Sequence, residues 1–560
     1  MTWWTGTIAG RTRFVIAAAL LVSGSVVPIE WSATAAQSTC FVVVDDGAVQ
    51  GADLGPSCAF LGIPYAGTTA GNNRWRAPQP PVPWTSPLNA TGTPVACPTV
   101  MLTAGGPVFG GDENCLKLNV WVSDPPPVTP APVLVWLHTG AFVAASGNFA
   151  GHRGQTLAAE TGVIVVSPNY RLGPFGFLAH SALAAADPGG ASGNYGLLDQ
   201  QAALRWVRDN IAQFGGDPNN VTIGGTSAGG QSVGLQMVSP ESAGLFHRAI
   251  IQSAYPTSRW TRDAEAKAQG NAFATALGCT VPATVLTCMR SASQNAVLTA
   301  LTQASQQVVE PADRVFWEPT VDGVVIPEQP RVLFEAGAFH RIPTIVGINR
   351  DEGWGSFTSR FITLSFPSGV TASQYEAWVV NEFGPDAGSI LNLYPAGSSP
   401  IQTMATLVGD VQFACEARRV ARAIESRSVP AYLYSYEYII NDLSPDLVLH
   451  GVEGNILFGN NYAAPIFPVH ALTPADRILH TQMAGYWTRF AATGNPNRGG
   501  AGAFSWPPFT RPNGKGRGND KYMILASTLS EGGRFHETQC DFFEPFFLRS
   551  VLGGVPAATP

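Results

Sequence analysis

The sequence predicts an α/β fold: a large, mostly parallel central sheet flanked by helices and carrying long insertions. Three observations support this. Short apolar runs alternate along the chain with stretches of helical spacing, the rhythm of parallel strands joined by helical crossovers. One run, Val221-Thr222-Ile223, leads into Gly225-Thr226-Ser227-Ala228-Gly229, a G-x-S-x-G sequence of the kind that turns from strand to helix with a serine at its apex. No low-complexity run, charge block or Pro/Ser linker divides the 560 residues. One catalytic domain over residues 37–560 is therefore expected, where length alone would allow several.

The first 36 residues have the character of an export signal. Arg11 and Arg13 supply positive charge, Phe14 to Val27 is apolar, and Ala33-Thr34-Ala35 offers an A-x-A site, so cleavage is expected near Ala35/Ala36. The apolar stretch is short for a membrane anchor. A secreted or periplasmic protein follows, with no membrane-spanning segment left after the signal is removed.

Beyond it, Val133-Leu134-Val135-Trp136-Leu137 and Val163-Ile164-Val165-Val166 read as buried strands. Leu197 to Phe214 follows with helical spacing through Leu198, Ala202, Leu204, Trp206, Ile211 and Phe214. The strand at Val221 and a helix from Ala228 come next, then strands at Ala249-Ile250-Ile251, Thr344-Ile345-Val346-Gly347 and Ala431-Tyr432-Leu433-Tyr434. In such sheets the chemistry gathers at the carboxyl ends of the strands, and Ser227 lies at one of those ends.

Composition narrows the function. Hydrophobic residues make up 45% of the chain and charged residues 13%, with a net charge of −7. No basic stripe is present, which argues against nucleic acid as a partner. The eight cysteines, Cys40, Cys58, Cys97, Cys115, Cys279, Cys288, Cys415 and Cys540, are an even count in an exported chain and point to disulfides. Proximity suggests Cys40–Cys58, Cys97–Cys115 and Cys279–Cys288, leaving Cys415–Cys540, but eight cysteines allow about 105 pairings. There is no C-x-x-C and no histidine pair at ligand spacing, so neither metal nor other cofactor is expected.

A serine hydroxyl is a poor nucleophile at neutral pH. It needs a base, a carboxylate to orient that base, and donors for the developing oxyanion. The loop His138-Thr139-Gly140-Ala141-Phe142 follows the Val133 strand and is the candidate oxyanion hole, through the N–H groups of Gly140 and Ala141 with that of Ala228 as a third donor. After the serine, α/β-hydrolases place an Asp or Glu and then a histidine, and the chain offers candidates in that order.

Several longer segments carry a more specific likeness. They are Glu113-Asn114-Cys115-Leu116-Lys117-Leu118-Asn119-Val120-Trp121, Asn169-Tyr170-Arg171-Leu172-Gly173-Pro174-Phe175-Gly176-Phe177-Leu178, and Gly193-Asn194-Tyr195-Gly196-Leu197-Leu198-Asp199-Gln200. Phe214-Gly215-Gly216-Asp217-Pro218, Tyr486-Trp487-Thr488-Arg489-Phe490 and Thr493-Gly494-Asn495-Pro496 extend it. With these in order over most of the mature chain, the sequence resembles the type-B carboxylesterases, the cholinesterase-like branch of the α/β-hydrolases.

The resemblance implies site residues. The family's acid in a G-x-N-x-D-E-G setting falls on Glu352, in Gly347-Ile348-Asn349-Arg350-Asp351-Glu352-Gly353, with Asp351 as its local rival. The family's base in an H-G-x-E setting falls on His450, in His450-Gly451-Val452-Glu453. Ser227 would attack, His450 would move the proton, and Glu352 would orient the imidazole. Activity is then expected to rise as His450 loses its proton, around the ordinary histidine pKa of about 6.5. The resemblance also implies Cys97–Cys115, Cys279–Cys288 and Cys415–Cys540 as the family's bridges, Cys40–Cys58 as an addition, and Arg74–Glu113 and Arg171–Asp199 as structural ion pairs.

Two positions depart from the family. Thr226 precedes the serine where glutamate is common, and Thr139 stands where the oxyanion loop usually has glycine. No tryptophan lies between Cys97 and Cys115, where cholinesterases carry the ring that binds quaternary ammonium by cation–π attraction, so choline esters are disfavoured. Trp260, Trp354 and Phe357 are candidates to line an apolar acyl pocket. The expected partner is a small-molecule or lipid-like ester. An amidase or thioesterase on the same residues is the alternative, and a non-catalytic binding protein of the same fold a further one.

Overall fold

The structure is a computed structural model that describes residues 40–103, 106–127, 129–307, 317–354, 369–444, 446–461, 470–500, 504–510 and 519–551. The expected signal segment with its cleavage point, and Phe357, lie outside these residues.

Among the described residues a 13-stranded sheet forms the centre of the molecule. Its strands along the main path are β1 (Phe41–Val44), β2 (Gly47–Asp53), β3 (Ser57–Pro64), β4 (Lys117–Ser123), β5 (Ala131–Leu137), β6 (Ile164–Pro168), β7 (Gly216–Thr226), β8 (Arg248–Gln252), β9 (Thr344–Asn349), β10 (Ala431–Tyr436), β11 (Tyr522–Leu525) and β12 (Ser530–Gly532). The spatial order is β1-β2-β3-β4-β6-β5-β7-β8-β9-β10-β11-β12, and the short strand Leu88–Ala90 pairs with β2 off this path. The strands from β6 to β11 run parallel, while β1 to β4 and the β12 edge are antiparallel to their neighbours.

The central parts of the parallel strands are largely apolar because both of their faces are covered. In β5, Val133, Val135 and Leu137 face one core cluster, while Leu134 and Trp136 face the other. The helical stretch expected over Leu197 to Phe214 is an α-helix, α1 (Tyr195–Asn210), continued by a 3₁₀ turn from Ile211 to Phe214. Gly215, at φ 83°, ends it, a left-handed terminus that glycine adopts at no steric cost.

Strand order fixes where a site can form. The chain leaves β5 for β6 on one side and then crosses to β7 on the other. The carboxyl ends of β5 and β7 therefore flank the switch point at which an open α/β sheet opens a crevice. Four disulfides brace the fold: Cys40–Cys58, Cys97–Cys115, Cys279–Cys288 and Cys415–Cys540. Among the described residues no helix is long and apolar enough to cross a membrane.

Candidate active site

Ser227 lies between β7 and the helix α2 (Ala228–Val238), at φ 57° and ψ −125°. A non-glycine residue with positive φ is strained and persists only where its surroundings hold it. Here the Ser227 N–H donates to the carbonyl of Gln252 at 2.9 Å, and the Ser227 carbonyl accepts from the Gln231 N–H at 2.8 Å. The turn also needs its glycines. A Cβ on Gly229 would fall 2.0 Å from the Leu137 carbonyl oxygen, and one on Gly225 would fall 2.5 Å from the Gly229 carbonyl carbon. Helix and strand approach this closely because there is no side chain between them.

The same contact brings the loop after β5 against the start of α2. In that loop Gly140, Ala141 and Phe142 have φ of 116°, 52° and 59°. The Gly140 carbonyl accepts from the N–H groups of Val143 and Ala144, and the Phe142 carbonyl from that of Gly173. The N–H groups of Gly140, Ala141 and Ala228 meet no acceptor among the described residues. Unspent backbone donors in a packed region are uncommon and are normally met by water or a ligand. His138, at the head of the loop, stacks on Tyr170 with ring centroids 4.1 Å apart and is buried. Burial lowers its pKa to about 4, so it remains a neutral structural group.

Glu352 follows β9 and is 1% exposed. Its Oε1 accepts from the Asn349 backbone N–H at 2.7 Å, and its Oε2 lies 2.5 Å from His450 Nδ1. The rival Asp351 turns away, pairing with Arg350 and accepting from the Val448 N–H. The His450 N–H is fixed by the Trp354 carbonyl at 3.0 Å. The His450 loop reaches the serine turn, since a Cβ on Gly451 would lie 3.8 Å from Thr226 Cγ2. Burial disfavours the charged imidazole, but the charge and hydrogen bond of Glu352, with Glu453 behind it, outweigh this, and the pKa of His450 is raised. With Nδ1 given to Glu352, Nε2 is the nitrogen left to exchange protons.

Two residues beyond the sequence-derived set, Glu453 and Phe413, complete the surroundings. Glu453 is fully buried, and its carboxylate accepts from Gln252 Nε2 at 3.0 Å, Asn349 Nδ2 at 2.7 Å and, more weakly, Ser253 Oγ at 3.3 Å. Burial first and the neighbouring Glu352 second raise its pKa. Phe413 places its ring 5.1 Å from that of His450 and 5.3 Å from that of Tyr255. Its position comes from a π-helical turn, Asp410–Ala414, between α3 (Pro400–Gly409) and α4 (Cys415–Glu425), a local rewinding often found at functional sites. Glu453 stands within the H-G-x-E segment, so its presence was visible in the sequence but its burial was not. No motif marks Phe413.

Of the expected pocket residues, Trp260 is buried with its ring 6.3 Å from that of Phe142, next to the Gly140 loop. Trp354 packs partly buried against the cluster on the other face of the sheet. Arg74 Nε donates to Glu113 at 2.8 Å, and Arg171 grips Asp199 through two bonds of 2.7 Å, all four side chains being buried.

A mostly parallel sheet that turns into a helix at a strained serine beside its switch point has the architecture of an α/β-hydrolase. Residues 38–543 match the family model described as the carboxylesterase family, and the chain belongs to that family; it is a carboxylic-ester hydrolase. It is 33% identical over 525 residues to the fumonisin B1 esterase of Sphingopyxis macrogoltabida, covering 91% of this chain and 92% of that protein. It is 33% identical over 474 residues to the para-nitrobenzyl esterase of Bacillus subtilis (strain 168), covering 84% of this chain and 92% of that one.

Proposed function

We propose that the protein is an exported serine esterase that works through an acyl-enzyme on Ser227, with His450 as base and Glu352 as its orienting carboxylate. The Ser227 oxygen bonds to the ester carbonyl carbon while its proton passes to His450 Nε2. The carbonyl oxygen takes the negative charge, which the N–H groups of Gly140, Ala141 and Ala228 receive, each worth about 3 kcal/mol to the transition state. The bond to the leaving alcohol then breaks, and that alcohol takes the proton from His450. Water, deprotonated by the same imidazole, attacks the acyl carbon; the bond to the Ser227 oxygen then breaks, that oxygen takes the proton back from His450, and the acid is released.

The observation that carries this reading is the 2.5 Å contact between Glu352 Oε2 and His450 Nδ1, made by a histidine whose loop packs on the residue before Ser227. Disulfides are stable in oxidising compartments, and the four in this chain support export, with cleavage near Ala35/Ala36. Hydrolysis of p-nitrophenyl butyrate and of a p-nitrobenzyl ester by purified wild type and Ser227→Ala tests the mechanism. Turnover by wild type and its loss in the variant are expected; full turnover by the variant would overturn the reading.

A further inference from the structure

We propose that Asn349 is a positioning residue for this reaction, its one side-chain amide holding both the loop that carries His450 and the carboxylate of Glu453. The inference rests on the assignment of Ser227, Glu352 and His450 made above.

Asn349 is the last residue of β9 and is fully buried. Its backbone N–H donates to Glu352 Oε1 at 2.7 Å. Its Nδ2 donates to the Leu449 carbonyl at 2.7 Å and to Glu453 Oε2 at 2.7 Å. Leu449 immediately precedes His450. One residue at the end of a central strand therefore ties together the acid, the base's loop and a second buried carboxylate. Both hydrogens of the amide are committed, and no other neutral side chain of this length supplies two donors from one nitrogen. An aspartate here would offer no donor when ionised and would set a third carboxylate beside Glu352 and Glu453.

The arrangement also bears on the charge of the imidazole. Donors to a carboxylate favour its ionised form. The Asn349 amide and Gln252 thus oppose the burial and the Glu352 charge that push Glu453 toward neutrality. Ionised Glu453 in turn favours protonated His450. Other ionisable groups pack around these residues. Tyr434 and Tyr436 of β10 have hydroxyls pushed well above their usual range, and His138 and His152 are held neutral with pKa values of about 4 and about 3. Arg350 and Asp351 neutralise one another at the Val448 end of the loop.

The test is kcat/KM for p-nitrophenyl butyrate across the pH range in wild type, Asn349→Ala, Glu453→Gln and the double variant. With its anchor at Leu449 removed, Asn349→Ala is expected to lose roughly 10- to 100-fold, as a base displaced by about 1 Å does. With Glu453 less ionised, the acidic limb of its profile is expected to move to lower pH by on the order of one unit. Glu453→Gln alone should move the limb the same way, and adding Asn349→Ala should move it no further. A rate loss with an unmoved limb, as a merely structural role would give, overturns the proposal. So does a shift that persists in the Glu453→Gln background. If Asn349→Ala is recovered unfolded, Asn349→Ser, which keeps one donor, is read by the same criteria. Full turnover by Ser227→Ala in the same assay would instead remove the triad on which the inference stands.

Discussion

Glu352 Oε2 stands 2.5 Å from His450 Nδ1, with the two side chains 1% and 12% exposed. A carboxylate this close, in so little water, stabilises the charged imidazole far more than an exposed one would. The pKa of His450 is raised accordingly.

The sign of the consequence for activity is definite. In the proposed mechanism His450 must be neutral to accept the serine proton, so a raised pKa moves the acidic limb of kcat/KM to higher pH. The midpoint of that limb is expected above the ordinary histidine value of 6.5, rather than at that value as the sequence alone suggested. A pH series on p-nitrophenyl butyrate reads it directly; a midpoint at or below the ordinary value would contradict the electrostatic account.

Phe413 bears on acyl size. Its ring lies between those of His450 and Tyr255, at 5.1 and 5.3 Å. Phe413→Ala opens space beside the base, so the ratio of kcat/KM for p-nitrophenyl dodecanoate to that for the acetate is expected to rise. Because the side chain is buried, the change should also cost about 3–5 kcal/mol of stability. An unchanged ratio in the folded variant would place Phe413 away from the acyl group.

Arg171 and Asp199 test a structural role. Their side chains are 1% and 0% exposed. Arg171→Met strands the aspartate without its partner, which should cost about 3–5 kcal/mol by urea denaturation. Removing both charges in Arg171→Met/Asp199→Leu should recover part of that loss. A cost for the single variant below about 1 kcal/mol, the worth of a surface pair, would contradict the account.

Much of this molecule was legible in its sequence where one physical cause dominated. The parallel strands β5 to β10 showed as apolar runs because both of their faces are buried, and the serine turn showed because close packing demands glycine at Gly225 and Gly229. The antiparallel strands β1 to β3 were not read. β2 and β3 carry glycines, and β1 leaves Phe41 and Val43 exposed, so no clean period survives. Order along the chain and family likeness pointed to Glu352 and His450. The partners that surround them, Asn349, Glu453 and Phe413, depend on burial and on a π-turn that no spacing encodes.

The most direct measurement of the central claim is covalent trapping of Ser227. The enzyme is incubated with a fluorophosphonate ester, digested and examined by mass spectrometry. A single phosphonyl adduct is expected, on the peptide containing Ser227, with activity lost in proportion to labelling. An adduct on another residue that abolishes activity, or complete labelling of Ser227 with turnover retained, would contradict it.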